Sequence, residues 1–298
     1  MQYIYHLGVH TTPSELLQHN LTENLDALRA QGVFYVNAEA PDIIGEILML
    51  VEDGCQSEVA QDYEKLNGIN QSLAQNARAG GMHKVLFSND DLLGPSLSDL
   101  LSSGVETPEF YPDAAARLSL ATAAIPLRST TFVIYQKSPE QLLLDLYCQA
   151  LGQGQTALGL ETFCTGLELQ SICFEQLRAQ LQVLHSKLRV IMPEDRRLEQ
   201  GSGAFVREFC QCTGINPEAF SITPTKVKYR IDTQQAEALR HVTMGNPSTR
   251  PSLINSLREQ ILKHRADPRQ ALALPDWVKA QLSGQSDDVH ETHMQKAG

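Results

Sequence analysis

The amino-terminal stretch MQYIYHLGVHTTPSELLQHNLTENLDALRAQGVFYV, residues 1–36, decides the fold. It contains two short runs rich in aromatic and β-branched residues, Tyr3–Leu7 and Val33–Val36, which predict strands. Between them, leucines recur at three- and four-residue intervals, which predicts a helix from about Pro13 to Ala30 that Gly32 ends. A strand, a helix and a second strand in this order predict a βαβ unit.

The rest of the chain continues this alternation. Further strands are predicted at Lys84–Ser88, Thr131–Tyr135 and Leu188–Met192. The second half is mainly helical, with helices predicted over Pro139–Leu151, Leu160–Ser186, Ala204–Thr213, Gln234–Val242, Pro251–His264 and Pro275–Leu282. We therefore expect an α/β fold, a parallel β-sheet flanked by helices with a helical C-terminal elaboration. We expect one domain over residues 1–283 and a polar tail over residues 284–298.

Charge and composition exclude several classes of protein. The chain has 24 basic and 35 acidic residues and a formal charge of −11, which disfavours a nonspecific grip on nucleic acid or anionic lipid. The longest apolar stretch, Leu118–Leu127, has about half of the roughly 20 residues that cross a bilayer. The six cysteines form no CxxC pair, which predicts free thiols and no metal site. Because the amino terminus also lacks a secretory pattern, we expect a cytoplasmic protein.

Three strand-loop motifs carry a family resemblance. The first is the turn Gly8-Val-His-Thr-Thr-Pro-Ser14, the second is KVLFSNDDLLG at residues 84–94, and the third is TFVIYQKSPEQLLLDLYCQ at residues 131–149. These motifs resemble those of the bacterial sulfotransferase-like family, whose opening strand is followed by G-x-H-K-T-G-T-T-S and a helix. The residues that agree with the family's opening are Gly8, His10, Thr12, Gln18, Leu21, Gly32, Val33 and Tyr35. The resemblance implies a sulfotransferase-like P-loop fold.

The resemblance also implies an activity. Members of the family transfer a sulfuryl group from 3′-phosphoadenosine 5′-phosphosulfate (PAPS) to a hydroxyl acceptor, often on a carbohydrate, so a small-molecule or carbohydrate acceptor is expected if the chain is active. The positions that correspond to the PAPS-binding residues are Gly8, Thr11, Thr12, Ser14, Lys137 and Asp145. His10 and Asp90 are the candidates for the general base that takes the acceptor's proton.

The chain departs from the family at positions that hold the cofactor. Thr11 replaces the lysine that offsets charge on the leaving phosphate, and losing such a group typically raises a barrier by on the order of 3 kcal/mol. Pro13 replaces a glycine and removes a backbone N–H donor. In the third motif, Lys137 replaces an arginine, and Asp145 replaces a serine and brings a negative charge. These changes act against both phosphate sites.

Structural interpretations stand beside the functional ones. Thr12 and Glu15 have the spacing of a capping box with a proline at the first helical position, so this turn either caps the helix or cradles a phosphate. Asp90 either serves as a base or forms an Asx turn or a helix cap, and His10 is either a catalytic group or a hydrogen-bonded loop histidine.

Three functions follow from these alternatives. The first is PAPS-dependent sulfuryl transfer. The second is a catalytically inactive protein of the same fold, which acts through a protein partner or another ligand. The third is a transferase that uses another activated donor, such as a nucleotide sugar, because a turn between a strand and a helix is a general ligand site in α/β proteins.

Overall fold

The computed structural model describes residues 1–10, 14–56, 60–193, 201–224, 231–245, 251–264 and 266–283. Within them, one parallel sheet contains the five strands β1 (Gln2–Leu7), β2 (Val33–Tyr35), β3 (Lys84–Asn89), β4 (Thr130–Val133) and β5 (Arg189–Ile191). The spatial order is β2-β3-β1-β4-β5. The predicted α/β fold with a parallel sheet flanked by helices is confirmed, and all five predicted strands are present.

Helices surround this sheet and extend the chain beyond it. They are α1 (Ser14–Glu23), α2 (Leu25–Ala30), α3 (Val36–Glu39), α4 (Pro41–Gln56), α5 (Ala60–Ala79), α6 (Leu97–Ser102), α7 (Ala114–Ala121), α8 (Pro139–Gln153), α9 (Leu160–Thr165), α10 (Phe174–Val183), α11 (Ser202–Thr213), α12 (Thr233–Met244), α13 (Pro251–Lys263) and α14 (276–283). The helices after β5 account for the predicted C-terminal elaboration.

Apolar side chains cover both faces of the sheet. On one face, Ile4, Leu86 and Val133 belong to a buried cluster with the leucines of α1 and α2 and the phenylalanines of α11. On the other face, the Tyr5 ring stacks on Phe87 at 4.5 Å and meets Phe132 edge-on at 5.7 Å. On each face, the packed side chains come from paired or neighbouring positions of β3, β1 and β4. This packing holds β1 between the other two strands.

The order of the strands places a topological switch point between β1 and β3. From β1 the chain passes to β2, on the far side of β3, whereas from β3 it passes to β4, on the other side of β1. Connections that leave neighbouring strands in opposite directions open a crevice at the carboxyl ends of those strands, where α/β proteins bind ligands. The loops after β1 and β3 are therefore the first place to look for a site.

The chain divides into two compact units. Unit 1 contains the described residues within 1–94, 111–137 and 174–227, including the whole sheet, and unit 2 those within 95–110, 138–173 and 228–298. Because the units alternate along the chain, unit 2 consists of insertions after β3 and β4 together with the last helices. The single domain over residues 1–283 stays a prediction, and the tail over 284–298 lies outside the described residues.

Two helices that the sequence predicts to be continuous are interrupted in the structure. The helix expected over Pro13–Ala30 is interrupted at Asn24, whose side-chain amide exchanges two hydrogen bonds with the backbone of Ser221 at 2.7 and 3.0 Å. The helix expected over Leu160–Ser186 is broken after α9, because the backbone N–H of Glu168 donates to the Pro108 carbonyl. In both places the interruption coincides with a contact to a distant segment, although at Asn24 the backbone hydrogen bonds to Asn20 and from Leu28 remain.

The structure also bears on the cysteines and on the absence of a long apolar segment in the sequence. The six cysteines are free, as predicted, and Cys148, Cys164 and Cys210 are buried. In the parts of the chain that the structure describes, we find no helix with the length and apolar character that crossing a bilayer requires.

Candidate functional site

The loops that follow β1 and β3 emerge side by side at the carboxyl edge of the sheet. The two strands are in register to their last residues, with Leu7 opposite Asn89. Gly8 and His10 follow β1, and Asp90 and Asp91 follow β3. The sequence predicts that Gly8 and His10 follow one strand and that Asp90 follows another. The parallel pairing of β1 with β3 brings these residues together.

Gly8 lies under two polar side chains. A Cβ atom on this residue would overlap Oδ1 of Asp90 and Oγ of Ser14. Ser14 is the first residue of α1, is buried, and hydrogen-bonds to the Asp90 carboxyl group. Glycine is therefore needed here because the carboxyl and hydroxyl groups approach the backbone closely.

Asp90 has an unusual electrostatic environment. Burial raises the pKa of its carboxyl group to about 6, while the Ser14 hydrogen bond and the charge of His10 act in the opposite direction. The charges of Asp91 and Glu15 add to the rise. At neutral pH Asp90 is thus mostly ionised but takes up a proton readily, which is the property of a general base.

The Asp90 side chain forms neither the Asx turn nor a capping hydrogen bond, although the residue stands at the N-cap position of a 3₁₀ helix. The Asx turn is formed by Asn89, whose Oδ1 accepts the backbone N–H of Asp91 at 2.7 Å. Asp90 precedes the short 3₁₀ helix Asp91–Leu93, but its side chain makes no capping hydrogen bond. The carboxyl group of Asp90 therefore stabilises neither the turn nor the 3₁₀ helix next to it.

His10 is held between Tyr111 and Asp91. Its Nδ1 lies 2.7 Å from the Tyr111 hydroxyl oxygen, which also accepts the His10 backbone N–H at 3.2 Å. Its Nε2 lies 3.3 Å from Oδ1 of Asp91. An ionised Asp91 only accepts hydrogen bonds, so in neutral His10 the proton is on Nε2, and the Tyr111 hydroxyl donates to Nδ1. Both ring nitrogens are engaged, as expected of a hydrogen-bonded loop histidine.

Asp91 differs from Asp90 in its environment. The hydrogen bond from His10, and the charges of His10 and Arg117, hold the pKa of Asp91 below its ordinary value. Arg117 is buried, donates to Glu52 at 2.6 Å, and lies 3.3 Å from the Asp91 backbone carbonyl. Adjacent carboxyl groups whose pKa values are moved apart are typical of acid–base sites.

The structure brings four of the predicted site residues together, namely Gly8, His10, Ser14 and Asp90. Thr11 and Thr12, with the proposed capping box, lie outside the described residues. Lys137 lies four residues after the end of β4 and is half-buried. Asp145 lies on α8 in unit 2, where its carboxylate accepts from the Gln141 side chain at 2.7 Å.

Sequence reasoning missed the residues that support this group. Asp91 had a signal, because it belongs to the same Ser-Asn-Asp-Asp run as Asp90. Tyr111 and Arg117 had none, since they come from a separate segment that reaches the site only through folding. Tyr111 has a positive φ of 50°, which is rare for an aromatic residue and turns its backbone at the start of the segment leading to α7.

Neither metal ligands nor known relatives identify the site. Among the described residues, no group of three or more histidine, cysteine, aspartate or glutamate side chains could hold a metal ion. Comparisons with models of protein families, with curated proteins and with solved structures found no match.

Proposed function

We propose that this chain is a sulfotransferase-like protein that transfers a sulfuryl group from PAPS to a hydroxyl acceptor, with Asp90 as the general base. The observation that carries the proposal is the raised pKa of Asp90, about 6, at the carboxyl edge of the central strands. The resemblance of the three strand-loop motifs supports the choice of donor. Carbohydrate hydroxyls are the acceptors we favour, and the free thiols support a reducing, cytoplasmic setting.

The proposed step is an in-line displacement at sulfur. The acceptor oxygen forms a bond to sulfur while its proton moves to the Asp90 carboxylate. The bond from sulfur to the bridging oxygen breaks, and 3′-phosphoadenosine 5′-phosphate (PAP) leaves with the electron pair. A base with a pKa near 6 is ionised at neutral pH and still takes the proton effectively, which typically accelerates such a step by about 10² to 10⁴-fold.

The other site residues have supporting roles in this proposal. Gly8 and Ser14 belong to the loop that would face the phosphosulfate, with Thr11 and Thr12 completing it. Lys137 is the proposed contact of the 3′-phosphate, because its charge can pair with that group. His10 is a positioning residue rather than a second base, because Tyr111 and Asp91 occupy both of its nitrogens.

A second function is favoured by the charge of the site. Asp90, Asp91 and Glu15 place carboxyl groups near the loop where the phosphosulfate would lie. The nearby Arg117 guanidinium is already paired with Glu52. These charges support a protein that keeps the fold without binding PAPS and acts through a protein partner or another ligand.

Calorimetry with PAP distinguishes the two functions. Sulfuryl transfer requires PAP to bind with a Kd below about 1 mM, and Asp90→Asn should tighten this binding because it removes a negative charge. No binding of PAP at millimolar concentration, to either protein, supports the second function and refutes the first.

An activity assay then tests the assigned base. With PAPS and a panel of sugar acceptors, we expect Asp90→Asn to lower kcat by about 100-fold or more. Asp62→Asn, a change of the same kind on α5, is the matched control and should leave kcat unchanged. Equal activity of the two variants would show that Asp90 is not the base.

A further inference from the structure

A groove lies at the edge of the sheet opposite the candidate site. It has a volume of about 470 Å³ and is formed by the start of β1, one side of α5 and the chain that enters β4. Strand β1 has six residues, at about 3.3 Å each, so roughly 20 Å separate the groove from the loop at Gly8. The groove is thus independent of the candidate site and falls within the size range of small-molecule pockets.

The charge of the groove is opposite to that of the whole protein. Arg78 and Arg128 line it, and no aspartate or glutamate does. The chain has 35 acidic and 24 basic residues, so a pocket with two guanidinium groups and no carboxylate is unusual for this composition. Within the described residues, neither guanidinium forms an ion pair.

Further hydrogen-bond donors face the same groove. The lining includes Gln75 and Ser129, whose side chains make no hydrogen bond to any described residue. Amide and hydroxyl groups beside guanidinium groups bind the oxygens of phosphate and sulfate, and a guanidinium can hold two of those oxygens at once.

The two arginines come from separate parts of the chain that a buried side chain holds together. Asn70, on α5, donates to the backbone carbonyls of Ala121 and Ala123, both at 3.0 Å. These contacts fix the segment that leads to Arg128 against the helix that carries Arg78. The fold therefore holds the two backbone segments that carry the arginines beside each other.

We propose that this groove binds a small molecule through a tetrahedral oxyanion, a phosphate or a sulfate group, held by Arg78 and Arg128. Arg78 lies in the last turn of α5, where the helix dipole offsets part of its charge. Arg128 lies in the short 3₁₀ helix Leu127–Ser129, also in its last turn, so the removal of either arginine should weaken binding.

The test uses the full chain with sodium phosphate and sodium sulfate, compared with sodium chloride at equal ionic strength. Binding is followed by the rise in melting temperature and by calorimetry. We expect a millimolar Kd for at least one of the two anions, weakened about fivefold or more by Arg78→Gln and likewise by Arg128→Gln. Arg269→Gln, an equal change of charge in unit 2, is the control and should leave the Kd unchanged.

Three outcomes overturn the proposal. They are no binding of either anion at 50 mM, no greater stabilisation than chloride gives, or equal binding in the arginine variants and the control. The candidate site is tested separately, because PAP binding that is lost in Arg78→Gln and Arg128→Gln belongs to the groove. PAP binding that responds to Asp90→Asn alone belongs to the loop at Gly8, and its absence leaves the groove proposal intact.

Discussion

Asp90→Asn is expected to make the protein more stable at neutral pH. Burial raises the pKa of Asp90 from 3.8 to about 6, so the folded protein holds this proton more tightly than the unfolded chain does. Below pH 3.8 the group is protonated in both states. As the pH rises from about 4 to 6, the folded state loses stability because it acquires a buried charge. At about 1.36 kcal/mol per pH unit, the full loss is about 3 kcal/mol above pH 6.

Hydrogen exchange measured on peptides from β1 and β3, in a urea series at pH 4 and pH 7.5, reports the free energy of unfolding around this site. Fluorescence would be misleading, because the single tryptophan, Trp277, lies in unit 2. We expect Asp90→Asn to exceed the wild type by up to about 3 kcal/mol at pH 7.5 and by little at pH 4.

The neighbouring carboxyl group provides a control of opposite sign. The pKa of Asp91 is lowered, so its ionised form stabilises the folded state, and Asp91→Asn should reduce stability at pH 7.5. If Asp90→Asn is no more stable than the wild type at pH 7.5, the argument that burial shifts this group is refuted.

Three further predictions concern other parts of unit 1. Gly8→Ala should destabilise by about 1 to 3 kcal/mol in urea unfolding because its Cβ meets side chains, whereas Gly45→Ala, with open space around it in α4, should stabilise by up to about 1 kcal/mol. Burial lowers the pKa of His6 to about 3, so this residue contributes a loss of about 1.36 kcal/mol per pH unit as the pH drops from 6.5 towards 3, opposite in sign to the contribution of Asp90. Relative to the wild type, His6→Phe should lose this much less stability per pH unit on acidification, and an equal pH dependence of the two proteins would contradict the assignment. Tyr111→Phe should lose about 1 to 2 kcal/mol, and the exposed Tyr63→Phe less than about 0.5 kcal/mol, with equal losses arguing against the hydrogen bonds of Tyr111.

The sheet could be predicted because its signals are local. Each strand is a short run of aromatic and β-branched residues between turn residues, and the strands are buried on both faces, as the sequence of Tyr3–Leu7 and Lys84–Ser88 indicates. The position of Gly8, His10 and Asp90 after strands also followed from the sequence. In a parallel sheet, the carboxyl ends of neighbouring strands meet, so such residues gather at one edge.

The interruptions of the helices could not be predicted because their causes are distant in sequence. Asn20 and Asn24 each bind the backbone of a segment about 200 residues later, at Thr223 and Ser221. Nothing in the leucine spacing of α1 and α2 contains this information. The same holds for Leu160–Ser186, where Leu167, Leu169, Leu177 and Leu181 are buried although the helix does not continue.

The chemistry of the candidate site was only partly accessible from the sequence. A raised pKa depends on burial, and burial of Asp90 requires the approach of Gly8 and Ser14, which the folded chain alone provides. The partners of His10 depend on Tyr111, which folding brings from 101 residues away. Sequence could name the candidates but could not choose between a base and a turn residue.

The most direct test of the account is a titration of the Asp90 carboxyl carbon by nuclear magnetic resonance, with selectively ¹³C-labelled aspartate and Asp90→Asn for assignment. We predict a midpoint near pH 6 for Asp90 and a midpoint below the ordinary value for Asp91. A midpoint for Asp90 near 3.8 would contradict it, because the carboxyl group would then be an ordinary solvated acid and no general base would remain at the carboxyl edge of the sheet.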